Sequence, residues 1–210
     1  RLKINQSTAI TCVKPSGTVS QLVDSASGIH TRHSPYYIRT VRCDKKDPLT
    51  QLMIDQGVPN EPDITKPDSV TVFSFPTASP PGSVTRNDMS AIQQLELWLE
   101  YQREWCEHKP SVTVSVKEDE WMEVGAWVYK YFDEVSGISF LPYTDHIYKQ
   151  APYQDIERKE YLELRKDMPT TIDFGELVKY ESEDNTTGSQ ELACTGGVCE
   201  LVDVTAPQED

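Results

Sequence analysis

No apolar run in the 210 residues approaches the ~18 that a membrane-crossing helix requires, so the sequence predicts a soluble chain with no membrane partner. Basic residues are also scarce: 20 Lys and Arg stand against 34 Asp and Glu, for a net charge of −14. General nucleic-acid binding draws on a basic footprint, so this balance argues against a nucleic-acid partner. Any phosphate the chain holds is expected on a small molecule in a local pocket. The shortage is most severe from Glu181 to Asp210, where eight acidic residues occur and no Lys or Arg. No HExxH sequence, CxxC pair or Ser/His/Asp set is present, which removes the common zinc-site and hydrolase signatures. The sequence starts at Arg1 without a methionine, and Leu2-Lys3-Ile4 is too short and polar for a signal peptide. A segment of a longer polypeptide is expected.

What is present begins with Ala9-Ile10-Thr11-Cys12-Val13, a β-rich run that leads through Lys14 and Pro15 into Ser16, Gly17, Thr18, Val19 and Ser20. This reads as a strand stopping at proline and opening into a hydroxyl-rich turn, the first turn of a helix. Such a turn aims backbone N–H groups and hydroxyls outward, and Gly17 lets an anion approach the backbone. Spacing alone leaves two readings open, a phosphate cradle and an ordinary capped strand-to-helix turn. A Walker loop is excluded, because the lysine precedes the single glycine.

Further along, Ser25 to His30 is a small-residue turn and Tyr36–Cys43 a strand. A short helix is expected from Asp47-Pro48 to Gly57, with Asp47 capping and Pro48 at the first helical position. A three-proline loop over Val58–Asp68 precedes a strand over Val70–Phe75, closed by Pro76. A long helix capped by Asn87 or Thr85 runs to about Cys106, with Ile92, Leu95, Leu99 and Cys106 at helical spacing beside Trp98 and Trp105. Val112–Val116 alternates as a strand, Glu118–Val135 is helical with Trp121, Val124, Val128, Tyr131 and Phe132 inward, and Ile138–Leu141 is a strand. This order predicts an α/β protein with crossover units and a mostly parallel sheet. The loop from Tyr143 to Tyr153 clusters Asp145, His146, Lys149 and Gln150 after a strand end, where ligand-binding loops gather in such folds. Helical pieces follow over Glu157–Lys166 and Phe174–Tyr180, and the remainder reads as disordered.

Of five cysteines, Cys12, Cys43 and Cys106 are isolated in apolar or mixed runs and predict buried thiols of a reduced, cytoplasmic protein. Cys194 and Cys199 differ. They flank Gly196-Gly197 inside the acidic tail, and glycines allow the tight loop that brings two sulfurs together. On a mobile arm such a pair can reduce a disulfide elsewhere and be re-reduced by thiol exchange. Half a zinc site and two unrelated cysteines are the competing readings, although the tail holds no further metal ligands.

Loop and tail together resemble a known family. Lys14-Pro15-Ser16-Gly17-Thr18-Val19-Ser20 is similar to the Pro-Ser-x-Thr phosphate loop of ribonucleotide reductases, and Cys194 and Cys199 resemble their C-terminal cysteine pair. Between them, Glu107–Val114, Gly137–Tyr143 and Lys149–Tyr153 resemble the adenosylcobalamin-dependent, class II ribonucleoside-triphosphate reductases, in the expected order. The resemblance implies the C-terminal part of the family's ten-stranded α/β barrel over residues 1–180, and a flexible redox-active tail over residues 181–210. It implies reduction of a ribonucleoside triphosphate to the 2′-deoxyribonucleotide by thiyl-radical chemistry, with adenosylcobalamin as the cofactor. Ser16, Gly17, Thr18, Val19 and Ser20 would hold the substrate phosphates, with Lys14 adding charge. Cys194 and Cys199 would be the shuttle dithiol, served by thioredoxin or a similar dithiol reductant.

One family motif is missing. The radical-bearing Asn-Pro-Cys-Gly-Glu-like loop occurs nowhere in the sequence, so Cys12, Cys43 and Cys106 have no claim to that role. The cobalamin contacts are expected mostly outside the chain, and the chain alone is expected to be inactive. Class I, diphosphate-using reductases resemble it at both ends but carry a Tyr-Tyr pair on a late strand. Here the adjacent tyrosines, Tyr36-Tyr37, lie early, which favours the cobalamin type. A non-catalytic nucleotide-binding module with an acidic tail is the alternative of a different class.

Overall fold

The computed structural model describes residues 3–17, 19–143 and 148–181, with the backbone of residues 192–195 and 198–201. The strand expected over Ala9–Val13 does not form. The Glu107 carboxylate takes the N–H groups of Ile10 and Thr11 (2.6 and 3.2 Å), leaving only Thr11 O and Val13 O to accept from His108 and Ser111. A side chain thus occupies the place of a ladder partner. The helix after the hydroxyl-rich turn, α1, is four residues long, Val19–Leu22.

Strand β1, Tyr36–Asp44, leads to α2, Pro48–Asp55. The Asp47 carboxylate accepts from the Leu49 N–H (2.8 Å) and Pro48 opens the helix, as the sequence indicates. Gly57 follows in the left-handed region at φ +81°, a conformation that favours glycine. The three-proline loop contains a short strand, β2, Asn60–Pro62. Strand β3, Val70–Ala78, continues through Pro76 instead of stopping there. The Ser74 N–H points to the β2 side, donating to Pro59 O. Two residues on, Pro76 faces the same edge beyond the end of β2, where a missing N–H costs no ladder bond.

The mostly parallel sheet is not what forms. β3 pairs antiparallel with β1 along nine residues and with β2 on its other side. With β6, Tyr153–Asp155, the order is β2-β3-β1-β6. Alternation marks β3 as a strand, but the partner is set by long-range packing, and β1 offers a ladder of matching length. The crossover reading holds for one unit. β4, Val112–Val116, and β5, Ile138–Pro142, pair in parallel around α4, Trp121–Lys130.

Helix α3, Ala91–Glu104, is capped by Ser90 rather than Asn87 or Thr85. Ser90 and Gln93 form a reciprocal capping box (2.8 and 3.2 Å), while Thr85 is taken by the Asp88 carboxylate. Leu95, Trp98 and Leu99 of α3 pack with Val124 and Trp127 of α4 on the face of β4 that carries Val112, Val114 and Val116. The inward side of α4 is therefore Val124, Trp127 and Val128, and Tyr131, the residue that caps its C-terminal end, packs against the same core. Trp121 and Phe132, expected inward, are exposed, as is Trp105. The helix ends at Lys130, so Phe132 falls outside its phase.

The chain continues through α5, Arg158–Asp167, and a 3₁₀ turn over Phe174–Lys179. In the tail, β7, Leu192–Thr195, and β8, Val198–Leu201, pair antiparallel with Cys194 opposite Cys199, where the sequence suggested irregular chain. Asp145 and His146, and the rest of the tail, lie outside the described residues. No helix among the described residues is long and apolar enough to cross a membrane. Cys106 is buried and Cys43 half-buried, but Cys12 is exposed, contrary to the expectation of three buried thiols. Cys12 belongs to the extended stretch that found no strand partner.

Candidate functional site

The loop over residues 14–20 is held from within and from behind. Its Ser16 N–H donates to the Ser27 hydroxyl (2.7 Å), and the Ser16 hydroxyl accepts from the Ser20 N–H (3.0 Å). The Ser20 hydroxyl donates back to Ser16 O (2.8 Å), and Ser20 is buried. Gly28, at φ +59°, closes against the loop: a Cβ there would meet Lys14 O at 2.9 Å. The Lys14 ammonium donates to Lys109 O and the Ser111 hydroxyl, both at 3.3 Å. Gly17 differs from Gly28. It is exposed, a Cβ on it would meet nothing within 4 Å, and its φ is not in the left-handed region. Among the described residues its N–H has no partner. Thr18 lies outside the described residues, and Val19 is exposed.

A cleft of about 320 Å³ adjoins the loop at Pro15, lined among others by His30, Lys109, Ser111, Thr113 and Ser139. The valines of β4 turn to the core, so its alternate residues Thr113 and Ser115 present hydroxyls on the opposite face, with Ser111 just before the strand. His30 braces this edge: its Nδ1 meets Ser27 O (2.7 Å) and its Nε2 accepts from the Thr113 N–H (3.0 Å). That pairing requires the neutral ring with its proton on Nδ1. A larger groove of about 660 Å³ runs along α3, among Glu96, Glu100, Arg103 and Glu104. Its carboxylates oppose an anion, and it is remote in chemistry from the loop.

Behind the loop stands a group that sequence reading missed. Arg39 of β1 donates from Nη2 to Gly17 O and from Nη1 to the Tyr153 hydroxyl, both at 2.9 Å. The Tyr153 ring stacks on His33 at 5.2 Å between centroids. His33 Nε2 lies 2.9 Å from an Asp155 carboxylate that also pairs with Arg86, yet its approach lies outside hydrogen-bond geometry. Burial first, and the Arg86 charge second, lower the His33 pKa to about 4 against the opposing pull of Asp155. Between pH 6.5 and 4 the unfolded chain therefore binds a proton that the folded chain refuses, and stability is lost as the pH is lowered through that window. A loss on the order of 2 kcal/mol is expected from this group. Urea unfolding at pH 7 and pH 4.5 measures it, and His33→Gln should flatten that share of the dependence.

Strand β6, which carries Tyr153, is pinned by the preceding turn. Gln150 sits buried at φ +58°, its amide donating to Glu61 and Pro62 O and accepting from the Ile64 N–H. Arg42 binds Gln150 O and the Asp63 carboxylate, whose pKa hydrogen bonds from Thr65, then Lys66, hold well below the usual range. Arg39, Tyr153, Ser27 and His30 are thus the residues that sequence reading did not assign. The small-residue turn at 25–30 was the one local signal for the last two. No group of three or more potential metal ligands occurs among the described residues.

No family model matches the chain. Its fold is that of part of a ribonucleotide reductase: the crystal structure of a B12-dependent (class II) ribonucleotide reductase superposes with a TM-score of 0.67, over 81% of this chain and 24% of that one, at 24% identity. Sequence relatives narrow the resemblance. The chain is 34% identical over 168 residues to the adenosylcobalamin-dependent ribonucleoside-triphosphate reductase of Euglena gracilis, covering 79% of this chain and 23% of that protein. It is 30% identical over 207 residues to the enzyme of that name from Lactobacillus acidophilus and 28% over 207 to that from Lactobacillus gasseri, in both cases 95% of this chain and 27% of the relative. The chain spans about a quarter of the length of these relatives, and its resemblance to adenosylcobalamin-dependent ribonucleoside-triphosphate reductases extends over most of its own length.

Proposed function

We propose that the chain is the C-terminal part of a ribonucleoside-triphosphate reductase, contributing the substrate phosphate loop and the dithiol that restores the active site. The observation that carries the loop assignment is Gly17, an exposed residue with open space at its Cβ position and no partner for its N–H among the described residues, beside a Ser16 that is bonded to Ser27 and Ser20. Ser16, Gly17, Thr18 and Val19 are the residues assigned to the phosphates, while Ser20 closes the loop onto Ser16. A four-residue α1 contributes little macrodipole, so binding rests on N–H groups, hydroxyls and the nearby Lys14. Residues 1–180 form part of the ten-stranded barrel. The hydroxyl face of β4, opposite its core face, supports that reading as an inner wall.

The reaction replaces the 2′-hydroxyl by hydrogen and releases water, while two active-site thiols become a disulfide. A thiolate of the Cys194–Cys199 pair attacks that disulfide, and the pair leaves oxidised, to be reduced by thioredoxin or a similar dithiol. Adenosylcobalamin supplies the radical equivalent when bound to the complete enzyme. The described residues do not fit it: the cleft beside the loop is far smaller than a corrin with its nucleotide tail, so its contacts are assigned outside this chain. The reducing cytoplasm suits both the dithiol and the free thiols.

Gly17→Ala tests the loop. A methyl group there strains nothing, so the unfolding midpoint should hold or rise slightly, while affinity for a ribonucleoside triphosphate, read by titration calorimetry, should fall about tenfold or more as the methyl fills the approach to the N–H. Unchanged affinity would remove Gly17 from the site.

A further inference from the structure

We infer that Arg39 is a positioning residue for the phosphate loop, clamped against Tyr153 so that the Gly17 carbonyl is held away from the incoming anion. The inference rests on the phosphate-loop reading above. Arg39 and Tyr153 are directly opposed across the β1–β6 ladder, which places both side chains on one face of the sheet. The guanidinium lies 5.5 Å from the Tyr153 ring centroid and spends separate nitrogens on the Tyr153 hydroxyl and Gly17 O. The ring is itself steadied by His33, and β6 by the buried Gln150 turn. The donor is therefore fixed before any ligand arrives.

The consequence is electrostatic. A loop carbonyl turned toward a phosphate would set two negative groups against each other, and a glycine peptide reorients with little steric penalty. A charged donor on Gly17 O holds the carbonyl's negative end on the far side of the loop, and places a cation behind the site as well. Only the planar fork of arginine reaches both partners, since a lysine ammonium keeps the charge without the two-point geometry.

Arg39→Lys separates geometry from charge. Affinity for a ribonucleoside triphosphate should fall about tenfold, as expected for losing a hydrogen bond to a charged group. Amide hydrogen exchange at Ser16 and Ser20, whose N–H groups are bonded to the Ser27 and Ser16 hydroxyls, should accelerate while that of α3 is unchanged. Tyr153→Phe, which keeps the ring, should produce a smaller change of the same kind, and the double variant should bind no more weakly than Arg39→Lys alone. Wild-type affinity in Arg39→Lys, with Gly17→Ala still impaired, overturns the clamp and leaves the loop assignment standing. Weakened binding without faster exchange at Ser16 and Ser20 also overturns it, because Arg39 would then act on the ligand directly and not by holding the loop. Equal affinity in wild type and Gly17→Ala overturns the loop assignment itself, and the clamp's purpose with it.

Discussion

Replacing Cys194 and Cys199 together by serine is expected to abolish turnover of the complete reductase with thioredoxin, while dithiothreitol sustains most of it. The register of β7 and β8 sets the two cysteines opposite each other. Directly opposed residues of an antiparallel pair lie about 4.5–5.5 Å apart, near the separation a disulfide spans, so the backbone suits both a dithiol and its oxidised form. Under the proposed function each turnover would leave the active site oxidised by two electrons, and without the relay a protein-sized reductant would have to reach its disulfide. A small dithiol has no such constraint. Each single serine variant should fail as completely as the double one, since one thiol can open a disulfide but cannot release itself. Multiple-turnover assays with the two reductants provide the check, and full thioredoxin-supported turnover of the double variant would favour a non-catalytic nucleotide-binding module.

Trp98→Ala is expected to cost about 3–5 kcal/mol of stability, a large share of the roughly 5–15 kcal/mol that a domain of this kind holds. Trp98 is fully buried among Leu95, Leu99 and the β4 valines, and its indole N–H donates to Pro110 O (3.0 Å). That bond ties α3 to the entry of β4, and so to the strand that carries the hydroxyl face. Trp98→Phe keeps much of the volume but leaves Pro110 O without its donor, and should cost about 1–3 kcal/mol. Urea midpoints at constant slope report both losses. A midpoint unmoved in Trp98→Ala would show that α3 does not anchor the core.

Local chemistry made much of this fold legible. Asp47-Pro48 and Gly57 marked both ends of α2, strict alternation gave β4, and the apolar spacing of α3 found Leu95 and Leu99. Choices made by distant partners were not legible. Nothing within Val70–Ala78 says that β3 will take β1 rather than β4, and no local pattern says that Glu107 will displace a strand partner from Ile10 and Thr11. The candidate site divides in the same way. Its loop carries a recognisable run, Lys14 to Ser20, whereas the support behind it joins Arg39 to a tyrosine 114 positions away. Each of those residues alone looks like an ordinary member of a half-exposed strand. The inward stripe of α4 was misread at its edges because the helix stops at Lys130, and a periodicity carried past that end assigns Phe132 to the wrong side.

The most direct test of the loop assignment is a ¹H–¹⁵N correlation spectrum of the 210-residue chain titrated with a ribonucleoside triphosphate. The account expects saturable shifts concentrated on the amides of residues 16–19 and at Arg39 Nε, with α3 unmoved. Shifts centred on the α3 groove, or none at Gly17 at saturating ligand, would contradict it.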